Sequence, residues 1–260
     1  MSHIQRPCFD PPLASFALAG LPRGRSAVPA PPIEGWPAGA KRTMDIVFAL
    51  LLLALLGLPM MLIAAWIRLD SRGPALFRQR RVGLHGRDFF VLKFRTMHVD
   101  RAHMALEHMD RGRIGSVRME PGPRPAARAA LCRQATRDDP RVTRAGRRLR
   151  RRSIDEWPQL FNVLRGEMSL VGPRPHAPGT CAGGRPFEQV TARYAARHQV
   201  RPGITGLAQV RGWRGETETE DKLRHRVESD LEYIECWSLW RDLGIMARTI
   251  PAVVRATNAY

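Results

Sequence analysis

The sequence predicts an α+β, mostly helical monotopic membrane protein, on three observations. One uncharged apolar stretch, residues 46–67, has basic residues at both ends. A glycine-rich turn separates two extended segments at 75–82 and 88–95. Helical periodicity returns late in the chain, where Leu223, Val227, Leu231 and Ile234 recur at spacings of three and four. With 260 residues and 44% hydrophobic content, the chain can build one sizeable core with appendages. The expected organisation is a Pro-rich tail at 1–40, a re-entrant membrane helix at 41–70 and a cytosolic domain at 71–260.

Eight prolines between Pro7 and Pro37, set among glycine and alanine, predict a disordered or extended tail. The apolar run at 13–19 follows Pro11-Pro12 and lacks a strong basic segment before it, so it does not read as a signal peptide. The 22 uncharged residues at 46–67 would make a helix of about 33 Å, close to a bilayer core of about 30 Å. From length alone, the plainer reading is a single-pass helix. Two features favour a helix-break-helix that enters and leaves on one face. Pro59, after Gly57, removes a backbone bond to Leu55 and invites a kink. Lys41 and Arg42 precede the segment and Arg68, Arg72, Arg78, Arg80 and Arg81 follow it, which keeps both flanks on the cytoplasmic side.

In the second extended segment, Phe90, Leu92 and Phe94 alternate with Val91, Lys93 and Arg95. Strand geometry then puts Lys93 and Arg95 on one face, where they can meet phosphate or simply face solvent. The stretch at 100–133 loses all periodicity. His98, His103 and His108 recur there, but a five-residue step rotates each by about 140° around a helix, so they share no face and make a poor metal site. The arginine run at 147–152 suits a solvated, membrane-facing or nucleic-acid surface.

The segment SIDEWPQLFNVLRGEMSLVGPRP at 153–175 carries the densest chemistry. Ser153 with Glu156 three residues later fits a capping box, which would place Asp155 and Glu156 in a helix's first turn. Negative charge is favoured there, phosphate can approach the same helix end, and an ionised Asp is a usable nucleophile toward phosphorus. Pro158 lies deep enough in that turn to tighten or kink it. Two prolines flanking Arg174 fix the backbone, so one guanidinium is held in a geometry suited to phosphate oxygens. A second turn-rich loop carries Arg201, Pro202 and Gly203. Beyond it, Tyr233, Trp237 and Trp240, with Arg241 and Arg248, belong to helices that pack in the core or lie amphipathically at headgroup level.

The formal net charge of +18 calls for an anionic partner: nucleic acid, an anionic membrane surface, or nucleotide and lipid phosphates. Lys41, Lys93 and Lys222 are the only lysines, so 39 of the 42 basic residues are arginine. That bias reflects coding composition as much as chemistry. Cys8, Cys132, Cys181 and Cys236 show no CxxC pairing, which favours reduced thiols on the cytosolic side.

Four blocks, KRTMDIVFALLLLALLGLP, FRQRRVGLHGRDFFVLKFRTM, QATRDDPRVTRAGRRLRRRSIDEWPQLFNVLRGEMSLVGPRPHA and RHQVRPGITGLAQVRGWRGETET, lie in an order and spacing that is highly specific. From residue 41 to the end the chain resembles the monotopic polyprenyl-phosphate hexose-1-phosphate transferases, the phosphoglycosyl transferases of bacterial polysaccharide assembly. The closing SLWRDLGIMARTI and Asn258-Ala259-Tyr260 look most like members that load glucose-1-phosphate onto undecaprenyl phosphate. The resemblance implies a re-entrant membrane helix, with Leu58-Pro59 where the family usually has Ser-Pro. It implies a sugar transferase catalytic domain at 71–260 with an insertion at 100–133, where the stretch is longer than the corresponding family loop. It implies that Asp155 attacks the sugar-linked phosphorus of a UDP-hexose, expels UMP and passes the phosphosugar to undecaprenyl phosphate, the first step of exopolysaccharide or capsule repeat-unit assembly. Mg²⁺ would be held by Asp155 with Glu156. Lys93, Arg95, Arg150 (with Arg151 as the alternative), Arg174 and Arg201 would meet phosphate or substrate.

The expected partners are a UDP-hexose, UDP-glucose ahead of UDP-galactose, together with undecaprenyl phosphate and membrane lipids. A homodimer is compatible with the sequence. The expected location is the bacterial inner membrane, with the catalytic domain facing the cytoplasm. Two competing readings are a membrane-tethered nucleic-acid-binding protein and an inactive scaffold paralogue. Nothing in the chain resembles a reading helix, a zinc finger or an RNA-binding aromatic block, so no nucleic-acid partner is expected.

Overall fold

The structure, a computed structural model, describes residues 35–98, 139 and 141–254. The Pro-rich tail before residue 35, the 100–133 insertion, His103, His108, Cys8 and Cys132 lie outside the described residues. In chain order the elements are helix α1 (Gly35–Asp70), strands β1 (Leu76–Val82) and β2 (Asp88–Phe94), helices α2 (Arg144–Arg151) and α3 (Gln159–Arg165), and strand β3 (Ser169–Val171). There follow the short strands β4 (Cys181–Ala182) and β5 (Arg185–Pro186), helix α4 (Phe187–Val190), strand β6 (Gly203–Thr205), helix α5 (Leu207–Val210), and two longer helices, α6 (Glu220–Glu235) and α7 (Leu239–Val254).

Helix α1 begins six residues before the predicted start. Pro37 falls in its first turn, where the missing N–H has no intrahelical partner to lose. Pro59 lies inside the helix, which continues to Asp70. Among the described residues, α1 is the one helix long and apolar enough to cross a membrane. One stripe packs inward through Ala49, Met60 and Ile67. The opposite stripe, Val47, Leu50, Leu51, Leu55, Leu58, Met61 and Leu62, recurs every three to four residues and stays exposed.

Both ends of α1 are tied to the same body of the protein. At the start, Lys41 Nζ donates to Asp242 Oδ2 of α7 at 2.7 Å, Arg42 donates to the Leu164 carbonyl of α3 at 2.9 Å, and Asp45 accepts the Leu170 N–H of β3 at 3.1 Å. At the end, the Arg95 guanidinium donates to the carbonyls of Ile67 at 3.3 Å and Ser71 at 2.6 Å. Asp70 accepts the Ala145 N–H of α2 at 3.3 Å. Burying Lys41 and Asp242 together is tolerable because each meets opposite charge and Tyr233 also donates to Asp242 at 2.9 Å.

Strands β1 and β2 form the predicted antiparallel hairpin, paired from Leu76↔Phe94 to Val82↔Asp88 around a turn at Leu84–Gly86. The expected two-faced alternation is only partly present. Val91, Leu92 and Phe94 are all buried, because the hairpin is covered on both sides: Val91 joins the main core and Phe94 a second cluster under α1. Strands β3 and β6 pair in parallel. Their connection runs through Gly172 and Gly203, where a Cβ on Gly203 would lie 2.1 Å from the Gly172 nitrogen. The periodic residues Leu223, Val227, Leu231 and Ile234 all fall on the buried face of α6, as their spacing predicts.

Cys181 and Cys236 are disulfide-bonded, so the expectation of reduced thiols is corrected. The lack of a CxxC pattern excludes only local pairs and does not exclude disulfides between cysteines distant in sequence.

Candidate active site

The chain leaves α2 through Ser153, which adopts a left-handed conformation (φ 53°) rare for a residue with a Cβ. A single 3₁₀ turn, Ile154–Glu156, follows, and α3 starts only after Pro158. The expected capping box is therefore absent. The Ser153 hydroxyl makes no cap and instead accepts from Arg214, while the Glu156 side chain points to cations. Pro158 supplies the reason: with no N–H to give, it sits at the N-cap of α3 and separates that helix from the acidic pair.

The turn buries both carboxylates, each 8% exposed. Glu156 is clamped. Lys93 Nζ from β2 donates to its Oε1 at 2.9 Å, and Arg174 binds both of its oxygens, with Nη1 to Oε2 at 3.0 Å. Burial pushes the Glu156 carboxyl up, but Arg174 and Lys93 outweigh it and hold it well below the usual carboxylate range. Asp155 has no hydrogen-bond partner among the described residues. Burial raises its pKa; the Lys93 charge opposes that, Glu156 adds to it, and Arg150 and Arg174 oppose it. The site thus holds one neutralised carboxylate as a scaffold and one unpartnered carboxylate within the field of three cations.

Each cation is set by a local feature. Lys93 is carried by the hairpin strand β2. Arg150 lies on the inner side of α2 and donates to Thr96 Oγ1 at 2.8 Å. That close packing depends on Gly146, where a Cβ would sit 2.1 Å from the Thr96 carbonyl oxygen. Arg174 sits in a loop fixed at several points: Arg81 donates to the Pro175 carbonyl at 3.2 Å, Gly203 N–H to that of Pro173 at 2.9 Å and Val82 N–H to that of His176 at 3.0 Å.

Two sequence candidates are not brought to this cluster. Arg95 is buried against the carbonyls ending α1, and Arg201 donates to the Gly166 carbonyl at 2.9 Å on an exposed surface. Arg151 faces outward from α2. Asp155 and Glu156 share the turn, but the Glu156 oxygens are already engaged by two cations, which leaves Asp155 as the carboxylate free to ligate a metal. Among the described residues no group of three or more His, Cys, Asp or Glu converges as a metal cage.

A buried layer beneath the Arg174 loop escaped sequence reasoning. Arg197 donates to the Arg174 carbonyl at 2.7 Å, to Asp230 Oδ2 through Nε at 3.0 Å and Nη2 at 2.6 Å, and to His176 Nδ1 at 2.7 Å. Because a guanidinium only donates, His176 accepts at Nδ1 as a neutral ring. Burial first, then Arg197 and its cationic neighbours, keep its pKa well below the ordinary value. Tyr194 completes the layer through its hydroxyl, 3.1 Å from the same nitrogen. No spacing links Arg197 to Asp230, 33 positions apart. The one local signal was His176, which directly follows the Pro-Arg-Pro run. A shallow cleft runs from Arg174 past His176, Gln209, Trp213 and Arg226.

Comparison with known proteins identifies the family of the chain. The family model described as bacterial sugar transferase matches residues 36–256. An undecaprenyl-phosphate glucose phosphotransferase of Komagataeibacter xylinus is 48% identical over 229 residues, covering 88% of this chain and 38% of that protein. A UDP-glucose:undecaprenyl-phosphate glucose-1-phosphate transferase of Caulobacter vibrioides is 50% identical over 220 residues, 85% of this chain and 72% of that protein. The protein of the same name from Escherichia coli is 43% identical over 219 residues, 84% of this chain and 41% of its own length. The chain therefore spans about two fifths of the first and third of these relatives. The match runs through α1, the hairpin, the acidic turn and the Arg174 loop alike, and the chain belongs to the bacterial sugar transferase family.

Proposed function

We propose that the protein is a membrane-associated phosphoglycosyl transferase that moves glucose-1-phosphate from UDP-glucose to undecaprenyl phosphate, releasing UMP, at the start of exopolysaccharide repeat-unit assembly. The observation that carries this reading is the unpartnered, buried Asp155 beside a Glu156 that is locked by Lys93 and Arg174. The names of the relatives, which span glucose transferases at 41–50% identity, supply the donor and the acceptor.

In the first step an Asp155 carboxylate oxygen forms a bond to the sugar-linked phosphorus, and the bond from that phosphorus to the bridging oxygen breaks, so that UMP departs with the electron pair. In the second, an oxygen of undecaprenyl phosphate attacks the same phosphorus and the Asp155–phosphorus bond breaks, which regenerates the carboxylate. Lys93, Arg150 and Arg174 supply a preorganised positive field for the charge that accumulates on the phosphoryl oxygens. Glu156 keeps Lys93 and Arg174 in place and stops them from pairing with Asp155. Mg²⁺, when bound, neutralises the donor diphosphate. Asp155 would be the protein carboxylate to hold it, and Glu156, already paired with Lys93 and Arg174, would not.

The membrane seat is part of the proposal. A helix of 36 residues is about 54 Å long, yet both its ends bond to one body of the protein, and its outer stripe is apolar throughout. A spanning helix would carry one end away to the far side of the bilayer. A re-entrant or half-buried seat, bent where Pro59 weakens the backbone, satisfies both anchors, with residues 71–260 as the catalytic domain on the cytoplasmic face of the inner membrane. The direct test is UMP release from protein held in nanodiscs with Mg²⁺, undecaprenyl phosphate and either UDP-glucose, UDP-galactose or UDP-N-acetylglucosamine. Release beyond one UMP per protein that requires lipid and is fastest with UDP-glucose supports the reading, and silence with every donor from folded protein overturns it.

A further inference from the structure

The arginine run leaves most of its charge unexplained by the site. Only Arg150 turns inward. Arg144, Arg147, Arg148 and Arg151 fall at i, i+3, i+4 and i+7 of α2, with Ala145, Gly146 and Leu149 packed on the other side, so the four form a stripe. Arg144, Arg147, Arg148 and Arg151 pair with no carboxylate among the described residues. The Arg148 guanidinium instead lies over the Trp66 ring, 5.9 Å from its centre.

That stripe begins where the apolar stripe of α1 ends. Leu58, Met61, Leu62 and Ala65 continue at helical spacing into Arg68, which is exposed, and Trp66 stands at the junction. Apolar surface, then an aromatic ring, then a row of cations is the depth profile of a bilayer from acyl chains through the interface to phosphate. The α2 helix cannot swing away from this position, since Gly146 lies against the Thr96 backbone and Asp70 holds the Ala145 N–H.

We propose that the outer face of α2, through Arg144, Arg147, Arg148 and Arg151 with Arg68, is a docking surface for anionic phospholipid headgroups. The proposal rests on α1 being seated in a bilayer and not on the transfer chemistry. Its consequence is positional: α2 runs straight into Ser153 and the turn bearing Asp155, so headgroups gripped on its outside fix the height of the acidic turn above the membrane. Each arginine near an anionic surface is worth about fivefold in partitioning, so three suffice for a clear lipid preference.

The test uses full-length protein in nanodiscs of phosphatidylcholine with a minor fraction of brominated phosphatidylglycerol or brominated phosphatidylcholine, without donor or undecaprenyl phosphate. Tryptophan fluorescence, to which Trp66 contributes, reports which lipid is nearest. The expected result is several-fold stronger quenching by the brominated phosphatidylglycerol, lost in high salt and in the variant R144Q/R147Q/R148Q, while quenching by brominated phosphatidylcholine stays unchanged in that variant because α1 remains inserted. Should the variant fail to insert, the preference of the unaltered protein and its loss in salt decide the matter. Equal quenching by the two lipids overturns the proposal. So does retention of duplex DNA through the same three arginines without any phosphatidylglycerol preference, which would make the stripe a nucleic-acid surface.

Discussion

Asp155 and Glu156 are chain neighbours, equally buried in one 3₁₀ turn, and the fold gives them opposite surroundings. Three hydrogen bonds from Lys93 and Arg174 saturate Glu156, while Asp155 keeps both oxygens without a partner among the described residues. The step of about 120° per residue in a 3₁₀ turn aims the two neighbouring side chains in different directions. The division of labour, one carboxylate to organise cations and one to react, follows from it.

Asp155→Asn is expected to abolish transfer while leaving the protein at least as stable as the unaltered chain. The raised pKa means that the folded state disfavours the Asp155 anion, so its charge costs stability above the unfolded value of about 3.9. A neutral isostere removes that cost. Thermal melts beside turnover assays check both halves, and a variant that melts well below the parent would contradict the electrostatic account.

Glu156→Gln should do the reverse and destabilise by about 3 kcal/mol or less, because it leaves the half-buried Lys93 and Arg174 without this anion. A depressed carboxyl contributes stability that is fully present above its unfolded pKa, about 4.3, and is lost as pH falls through the folded value. The acid limb of stability against pH should therefore be shallower in Glu156→Gln than in the parent. Denaturant melts from neutral to acid pH read this difference.

The pH dependence of turnover offers a separate check. Asp155 must be ionised to attack, and its raised pKa moves the acid limb of the rate profile above that of an ordinary aspartate. An acid limb at or below about 3.9 would contradict this.

Arg197→Lys is expected to cripple the site from below. A lysine cannot reach Asp230, His176 and the Arg174 carbonyl at once, so the Arg174 loop loosens although no substrate atom is touched. The expected outcome is a fall in kcat of tenfold or more with a smaller change in KM for the donor, and loss of stability through the unsatisfied Asp230. Unchanged kinetics would show that the loop holds its place without Arg197, through the bonds from Arg81, Val82 and Gly203.

The hairpin, the late helix and the acidic pair were legible because local pattern decides them: alternation, a 3.6-residue period and adjacent residue types. Arg95 was misleading for a physical reason. Strand alternation places it beside Lys93, but β2 ends at Phe94, and the carbonyls ending α1 capture its guanidinium. The capping box was overridden because Glu156 gains more from two half-buried cations than from a backbone N–H. Arg197 and Asp230 gave no signal, since each is brought to the other only by tertiary folding.

The most direct test of the account is the intact mass of the protein after exposure to UDP-glucose without undecaprenyl phosphate. The account predicts a gain equal to one phosphohexosyl group, mapped by peptide analysis to Asp155, discharged on adding undecaprenyl phosphate and absent from Asp155→Asn. Lipid-dependent UMP release by a protein that never carries this group, or that carries it on another residue, would contradict the assignment of Asp155 as the nucleophile.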